Sequence, residues 1–141
     1  MKTLIVIAML AAVALADVPK MSLCDPSANY EFNIDLAETH TTPAEVVKSK
    51  DCALDIIGFF NDDVQLTDLE LDVYWGGTLL QKIDSPDTDF VYAYNPYTME
   101  FTVFIPGFAM PGYYYLNAYP KGKVAGGEET VLACLKVEFN L

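Results

Sequence analysis

The sequence contains no arginine, one histidine and three cysteines, and each scarcity argues against a class of function. Its 141 residues carry 20 acidic side chains against eight basic ones, all of them lysine, for a formal net charge of −12. A nucleic-acid partner is not expected, because cations must neutralise phosphates and release counterions on binding. Without arginine the chain also lacks the bidentate fork that recognises phosphate.

Candidate catalytic and metal-binding groups are few. His40 lies among threonines in a predicted loop, and no Gly-x-Ser-x-Gly context accompanies it, so a nucleophilic triad is not indicated. Asp84, Asp87 and Asp89 lie close together, but the segment lacks the glycine and the glutamate that an EF-hand calcium loop requires. Zinc would need more His and Cys ligands than the chain offers. We therefore predict no enzyme activity, no cofactor and no metal site.

Residues 1–16 are predicted to be a secretory signal peptide. Lys2 supplies a positive charge, residues 4–15 form an apolar run, and Ala14-Leu15-Ala16 is a small-x-small cleavage motif. The apolar run is shorter than the roughly 20 residues that span a bilayer. The mature chain would be residues 17–141, a single domain with seven lysines against 20 acids and hence a net charge of −13. We expect a monomer that is secreted or resides in the endolysosomal lumen.

Export would place the three cysteines in an oxidising compartment, where two of them would pair. The residues alone allow three pairings among Cys24, Cys52 and Cys134. Joining Cys24 to Cys134 would close a very long loop, for which the chain-entropy model gives roughly 4.7 kcal/mol. Cys52 is the candidate for the unpaired thiol, either buried or in an intermolecular bridge.

Apolar and polar residues alternate with a period of two along most of the chain, which is the pattern of half-buried strands. The clearest example is the segment 68–75, in which Leu, Leu, Val and Trp alternate with Asp, Glu, Asp and Tyr. The predicted strands cover residues 30–36, 53–60, 68–75, 78–83, 90–94, 99–105, 113–119 and 131–139. Turns rich in Pro, Gly, Asn and Asp separate them. Seven or eight short strands predict an all-β sandwich or barrel.

An apolar segment occurs where the Pro and Gly content predicts a loop. Residues 104–112 read Phe-Ile-Pro-Gly-Phe-Ala-Met-Pro-Gly, with Phe108 and Met110 in the middle, although loops are usually exposed and polar. Phe59 and Phe60 form a second apolar strand end, just before an acidic turn. These side chains either fold back and plug the sandwich or form an apolar mouth for a ligand or a membrane.

Three short motifs follow one another in the C-terminal half: Ile105-Pro106, Met110-Pro111-Gly112-Tyr113 and Leu132-Ala133-Cys134-Leu135-Lys136-Val137. Their order and spacing resemble the ML lipid-recognition domain family, which includes the Niemann–Pick type C sterol carrier, the ganglioside activator, group 2 mite allergens and fungal phosphatidylglycerol/phosphatidylinositol transfer proteins. The resemblance covers most of residues 22–141. It implies an immunoglobulin-like antiparallel sandwich of seven to eight strands, an apolar cavity between the sheets and a Cys24–Cys134 bridge.

The chain departs from that family in its cysteines. Members commonly have three disulfides, whereas this chain can form one. Asn95 stands where many members have the Cys of a Cys-Pro motif, and Cys52 has no obvious family partner. Family pockets take sterols, glycolipids, phospholipids or lipopolysaccharide, so the resemblance leaves the ligand class open.

The function implied is that of a carrier for one lipid or sterol. A sixteen-carbon chain costs roughly 12 kcal/mol to expose to water, at about 0.8 kcal/mol per CH₂, and a cavity removes most of that cost. The predicted lining is Leu71, Val73, Trp75, Phe101, Val103, Ile105, Val137 and Phe139, a list that would equally describe a filled core. Residues 104–112, Phe59 and Phe60 are predicted to form the entrance and to touch the membrane transiently through Phe108 and Met110. The alternative is a secreted adhesion or recognition module with a solid core, which binds protein through its acidic or Tyr-rich faces.

Overall fold

The computed structural model describes residues 18–141, so the predicted signal peptide lies outside the described residues. The strands are β1 (Lys20–Leu23), β2 (Phe32–Ile34), β3 (His40–Thr42), β4 (Lys50–Phe60), β5 (Val64–Trp75), β6 (Thr78–Pro86), β7 (Phe90–Val91), β8 (Tyr97–Ile105), β9 (Tyr113–Val124), β10 (Glu129–Val131) and β11 (Leu135–Asn140). Each of the eight predicted strands has a counterpart. The total exceeds the predicted seven or eight because β1, β3 and β10, of three or four residues each, form additional short pairings.

Two antiparallel sheets face each other and form a β-sandwich, which confirms the predicted fold class. Sheet A has the order β1-β11-β9-β5-β6, with β10 beside β9 and β7 beside β5. Sheet B has the order β2-β4-β3, and β8 pairs with the other side of β4. One edge of sheet A is therefore β6, and one edge of sheet B is β8. No helix in the described part of the chain is long and apolar enough to cross a membrane.

The alternation seen in the sequence determines which side chains enter the core. In β5, Leu69 and Leu71 are buried between the sheets, while Asp68 and Glu70 point to the outer face of sheet A, because successive side chains of a strand point to opposite faces. Both sheets contribute to one buried cluster that includes Leu54, Ile56, Leu69, Leu71, Met99, Phe101, Leu135, Val137 and Phe139.

A tight turn and a disulfide bond hold neighbouring strands in register. Gly76 and Gly77 join β5 to β6 with φ values of 55° and 85°, as a two-residue hairpin turn of the type with two positive φ angles requires. Cys24 and Cys134 form the predicted disulfide, with their Cα atoms 5.4 Å apart, and it ties the end of β1 to the start of β11. Cys52 is the free thiol, as predicted.

The pairing of β4 with β8 defines the two ends of the sandwich. Lys50 lies opposite Ile105, and Gly58 lies opposite Tyr97, without a register shift between them. Eight residues separate these pairs along each strand, which is roughly 27 Å at about 3.4 Å per residue. The end at Ile105, where residues 106–112 connect β8 to β9, is called the loop end. The end at Tyr97, where β7 pairs with the start of β5, is called the β7 end.

Candidate ligand-binding site

A small void lies between the two sheets in the half of the sandwich nearer the loop end. Its volume is about 50 Å³, and it is lined by Thr41, Val46, Cys52, Leu54, Leu71, Val73, Phe101, Val103, Ile105, Leu116, Val137 and Phe139. Genuinely empty cavities in proteins are apolar, and this lining is apolar apart from one hydroxyl and one thiol. The void alone is far smaller than the roughly 300–1,000 Å³ of typical ligand pockets.

A larger cleft adjoins the void and opens to solvent at the loop end. It has a volume of about 280 Å³ and is lined by Val73, Leu80, Gln81, Ile83, Val103, Phe104, Ile105, Pro106, Phe108, Ala109, Met110, Tyr114, Phe139 and Leu141. Four side chains, those of Val73, Val103, Ile105 and Phe139, border both the void and the cleft. The cleft lies between the edge strands β6 and β8, each of which has a neighbouring strand on one side only.

The rim of the cleft exposes large apolar side chains. Phe108 is 89% exposed, Phe104 58%, Leu80 51% and Met110 49%. Exposed apolar side chains that form one contiguous patch mark ligand or membrane contact more often than single ones do. The loop 106–112 is held by backbone contacts around this rim, since Ala109 N donates to Pro106 O, and Gly112 and Leu141 exchange two hydrogen bonds of 3.0 Å.

The structure brings nine of the predicted site residues together around the void and the cleft. They are Leu71, Val73, Phe101, Val103, Ile105, Phe108, Met110, Val137 and Phe139. Contact between these side chains and a ligand stays a prediction.

The prediction that Phe59 and Phe60 share an entrance with residues 104–112 is wrong, because the β4–β8 register places them at the opposite end of the sandwich. Phe60 is completely buried, while Phe59 is 40% exposed beside Tyr94. Adjacent residues of a strand point to opposite faces, so Phe60 enters the core and Phe59 lies on the outer face of sheet B.

Trp75 also lies outside the lining of the void and the cleft. It occupies the last position of β5, where its indole Nε1 donates to Pro111 O at 3.3 Å. The ring therefore supports the loop 106–112 from the side. The contact is tight, because a Cβ atom at Gly112 would come within 2.9 Å of the indole nitrogen.

Sequence reasoning missed several lining residues. Cys52, Leu54 and buried Ile56 lie on one face of β4. Leu54 could have been found from the alternation within the predicted strand 53–60, and Cys52 by extending that strand by two residues. Leu116 lies two residues after Tyr114 on the same face of β9, so the alternation along this strand could have found it as well. Leu80 and Gln81 on β6 gave no such signal, because a bulge interrupts the alternation there.

At the β7 end, aromatic rings fill the space between the sheets, and the concavity found there, of about 440 Å³, is lined by exposed residues such as Phe59 and Tyr94. The rings of Phe32 and Phe60 have centroids 4.6 Å apart, and Tyr97 lies 6.2 Å from Phe60. The Tyr97 hydroxyl donates to Asp89 at 2.7 Å. Burial, followed by the hydrogen bond to Asp89 and the charges of Asp87 and Asp89, raises the pKa of Tyr97 well above its usual value.

The chemically reactive groups near the site are few. Burial raises the pKa of the Cys52 thiol, which lowers the fraction of reactive thiolate at neutral pH. His40 lies on the exposed side of β3, where its Nε2 is 3.4 Å from Asp55 and its Nδ1 is 2.7 Å from Glu38 O. Within residues 18–141, no group of three or more His, Cys, Asp or Glu side chains is arranged to hold a metal ion.

A network of charged side chains covers the outer face of β5 and β6, behind the cleft. Burial, then a hydrogen bond and repulsion from Asp84, raises the pKa of Asp68. Burial and repulsion from Glu70 raise the pKa of Asp72, whose Oδ2 lies 4.0 Å from Lys82 Nζ. Burial opposes ionisation of Glu70 as well, but its hydrogen bond to Lys121 and the charge of that lysine outweigh it and lower the pKa of Glu70.

No family model matches the chain, and no curated protein matches its sequence. Among solved structures, a crystal structure of a Niemann-Pick type C2 protein from Japanese carpenter ant aligns at 10% identity over 85% of this chain and 86% of that chain, with a TM-score of 0.47. At this identity and score the similarity is no guide to what this chain binds, and the ML resemblance of its motifs stays a prediction.

Proposed function

We propose that the protein is an extracellular or endolysosomal carrier that binds one lipid or sterol in the cleft and the void. The observation that carries this proposal is the joining of the two spaces by Val73, Val103, Ile105 and Phe139. The cleft volume of about 280 Å³ lies just below the usual range for ligand pockets. An apolar chain in the cleft could extend into the void if the side chains between them rotate.

The same geometry supports a role without catalysis. The linings of the void and the cleft include no charged side chain and no histidine. Their two titratable side chains are the Cys52 thiol, whose pKa is raised by burial, and the Tyr114 hydroxyl, which donates to Met110 O. His40 and Asp55 form a pair on the outer side of sheet B, away from the cleft.

Loading is proposed to occur at a membrane through the exposed rim of the cleft. Phe108 and Met110 lie on the loop that borders the opening, so insertion of this loop would bring the cleft against the lipid surface. The net charge of −13 expected for the mature chain would repel anionic bilayers. The repulsion weakens as carboxylates approach their usual pKa values near 4, so we expect transfer between anionic vesicles to speed up from pH 7 towards pH 5.

Native mass spectrometry of the secreted protein, before and after organic extraction, tests the proposal. We expect a single co-purifying apolar molecule, and we expect the extracted protein to take up a fluorescent sterol or phospholipid. An empty protein that takes up neither probe would reject the carrier function.

The alternative function, recognition of a protein partner, has one specific observation in its favour. Tyr74 and Tyr115 stack on the outer face of sheet A with centroids 4.6 Å apart, and Lys136 lies 4.6 Å from the Tyr115 ring centroid. Tyrosine is enriched at protein interfaces. If no lipid binds, this face becomes the leading candidate for the functional surface.

A further inference from the structure

Gln81 occupies a distinct position on the wall of the cleft. It lies on β6 directly opposite Val73 of β5, and a bulge leaves the neighbouring Leu80 as the extra residue without a partner. A bulge re-aims the side chains around it, and here both Leu80 and Gln81 line the cleft. A long polar side chain therefore stands among apolar ones at the mouth.

Gln81 is exposed at the mouth, so a ligand head group would replace the water around its side-chain amide. No other described residue forms a hydrogen bond with this amide, whereas the two hydroxyl groups of the linings already have partners. The Tyr114 hydroxyl donates to Met110 O at 2.7 Å, and the Thr41 hydroxyl donates to Ala44 O at 3.2 Å. An amide offers two donors and an acceptor and carries no charge.

The surrounding charges favour a neutral head group on the ligand. Lys82, next to Gln81, points to the outer face of the sheet towards Asp72. Lys50 lies opposite Ile105 but outside the lining of the cleft. Neither lysine therefore reaches the mouth to pair with a carboxylate or a phosphate, whereas a hydroxyl or amide could exchange hydrogen bonds with Gln81.

We infer that Gln81 determines the specificity of the site and selects a single-chain amphiphile with an uncharged hydroxyl or amide head. The head contacts the Gln81 amide at the mouth, and the chain lies in the cleft and the void. The small volume of the cleft favours one chain over two. This inference rests on the proposed carrier function and specifies its ligand.

Displacement of a neutral fluorescent probe, N-phenyl-1-naphthylamine, by four ligands with the same chain tests the inference. The ligands are dodecanol, dodecanamide, dodecanoate and dodecane, each measured at pH 7 with the mature protein. We expect dodecanol and dodecanamide to bind about three- to tenfold more tightly than dodecane, as one net hydrogen bond allows, and dodecanoate to bind no better than dodecane. The near-isosteric Gln81→Met should abolish the preference, so that dodecanol and dodecanamide bind this variant no more tightly than dodecane does.

A second variant, Lys50→Met, separates the neutral head from an anionic one. We expect it to leave all four affinities unchanged, because Lys50 lies outside the lining. Tighter binding of dodecanoate that depends on Lys50 would overturn the inference, and so would an unchanged order of affinities in Gln81→Met. In both cases the carrier function would stand, whereas failure of every ligand and of the probe to bind the wild-type protein would overturn both.

Discussion

The two ends of the sandwich are crossed by the same strands, yet rings fill one end and a cavity occupies the other. At the β7 end, Phe32, Phe60 and Tyr97 occupy the space between the sheets. Towards the loop end, the corresponding space is lined in part by smaller side chains such as Cys52 and Val103, and the void and the cleft remain. The pairing of β4 with β8 is unbroken from one end to the other. In sheet B, therefore, the difference between the two ends comes from the side chains that face the space and not from a break in the sheet.

Removing a ring at the filled end should have the largest effect on stability. Phe60→Ala deletes a completely buried side chain, and large-to-small core substitutions of this kind cost about 3–5 kcal/mol. The free energy of unfolding in urea measures the loss. Phe59→Ala is the matched control, since Phe59 is the adjacent residue on the exposed face, and it should cost less than about 1 kcal/mol. A loss below that level for Phe60→Ala would show that the rings do not fill this end.

The sequence predicts the features that depend on neighbouring residues of one strand, and it does not predict those that depend on how distant strands pair. Alternation within a strand is local, so segments such as 68–75 and 99–105 were predicted correctly, and most of the lining followed from their inward faces. Which strand ends meet is a long-range property. Only the β4–β8 register shows that Phe59 and Phe108 lie at opposite ends, and no pattern in either segment contains that information.

Two further residues illustrate what the sequence pattern leaves out. Trp75 continues the inward alternation of β5, but the strand ends there and the indole bonds to Pro111 outside the cavity. Gln81 reaches the cleft because a bulge shifts the register of β6 by one residue. A period of two predicts faces only while the strand stays regular, and both exceptions occur where regular pairing stops.

Filling the open end should make it resemble the β7 end. Val103 borders both the void and the cleft, so Val103→Phe would place a ring where a ligand chain would pass. Excluding about three CH₂ groups at about 0.8 kcal/mol each should weaken binding of an apolar probe by roughly fiftyfold. Fluorescence titration measures the affinity.

The control for this change is Thr102→Phe, which adds the same ring on the opposite, exposed face of β8. We expect probe affinity within about twofold of the wild type for this control. Equal binding by Val103→Phe and the wild type would place the ligand elsewhere.

Membrane contact should distinguish the two ends, because each has an exposed aromatic side chain. Phe108→Asp at the loop end should slow lipid transfer between vesicles about five- to tenfold, since part of the roughly 1.5–3 kcal/mol from burying a Phe side chain is lost. Tyr94→Asp at the β7 end adds the same charge at a side chain that is 70% exposed, and it should have little effect. Equal slowing by both variants would indicate a general charge effect rather than a docking end.

The smallest expected effect is a change in the free energy of unfolding that comes from the pairing of β5 with β6, the strand that forms one wall of the cleft. Asp84 on β6 lies opposite Glu70 and interacts with Asp68, and like charges across a strand pair are destabilising. The pKa of Asp68 is higher in the folded protein than in the unfolded chain. Protonation of Asp68 therefore stabilises the fold: this contribution is fully present below the pKa of Asp68 in the unfolded chain, and it is lost as the pH rises through its pKa in the folded protein. Asp84→Asn should therefore stabilise the fold by a few tenths of a kcal/mol at pH 7, and this gain should shrink as pH falls towards 4.

Urea unfolding of Asp84→Asn at pH 7 and pH 4, with Glu128→Gln as the control, measures this difference. Glu128 lies exposed in the turn between β9 and β10, so its neutralisation reports only the reduced net charge. The positive charge of Lys121 partly offsets the rise in the pKa of Asp68. The gain in the free energy of unfolding expected for Asp84→Asn is therefore small. An equal gain from Glu128→Gln at pH 7 would mean that net charge, and not the pairing of β6 with β5, sets the stability of the wall. A gain specific to Asp84→Asn would show that the open end is bounded by a strand whose pairing is weakened by its own charges.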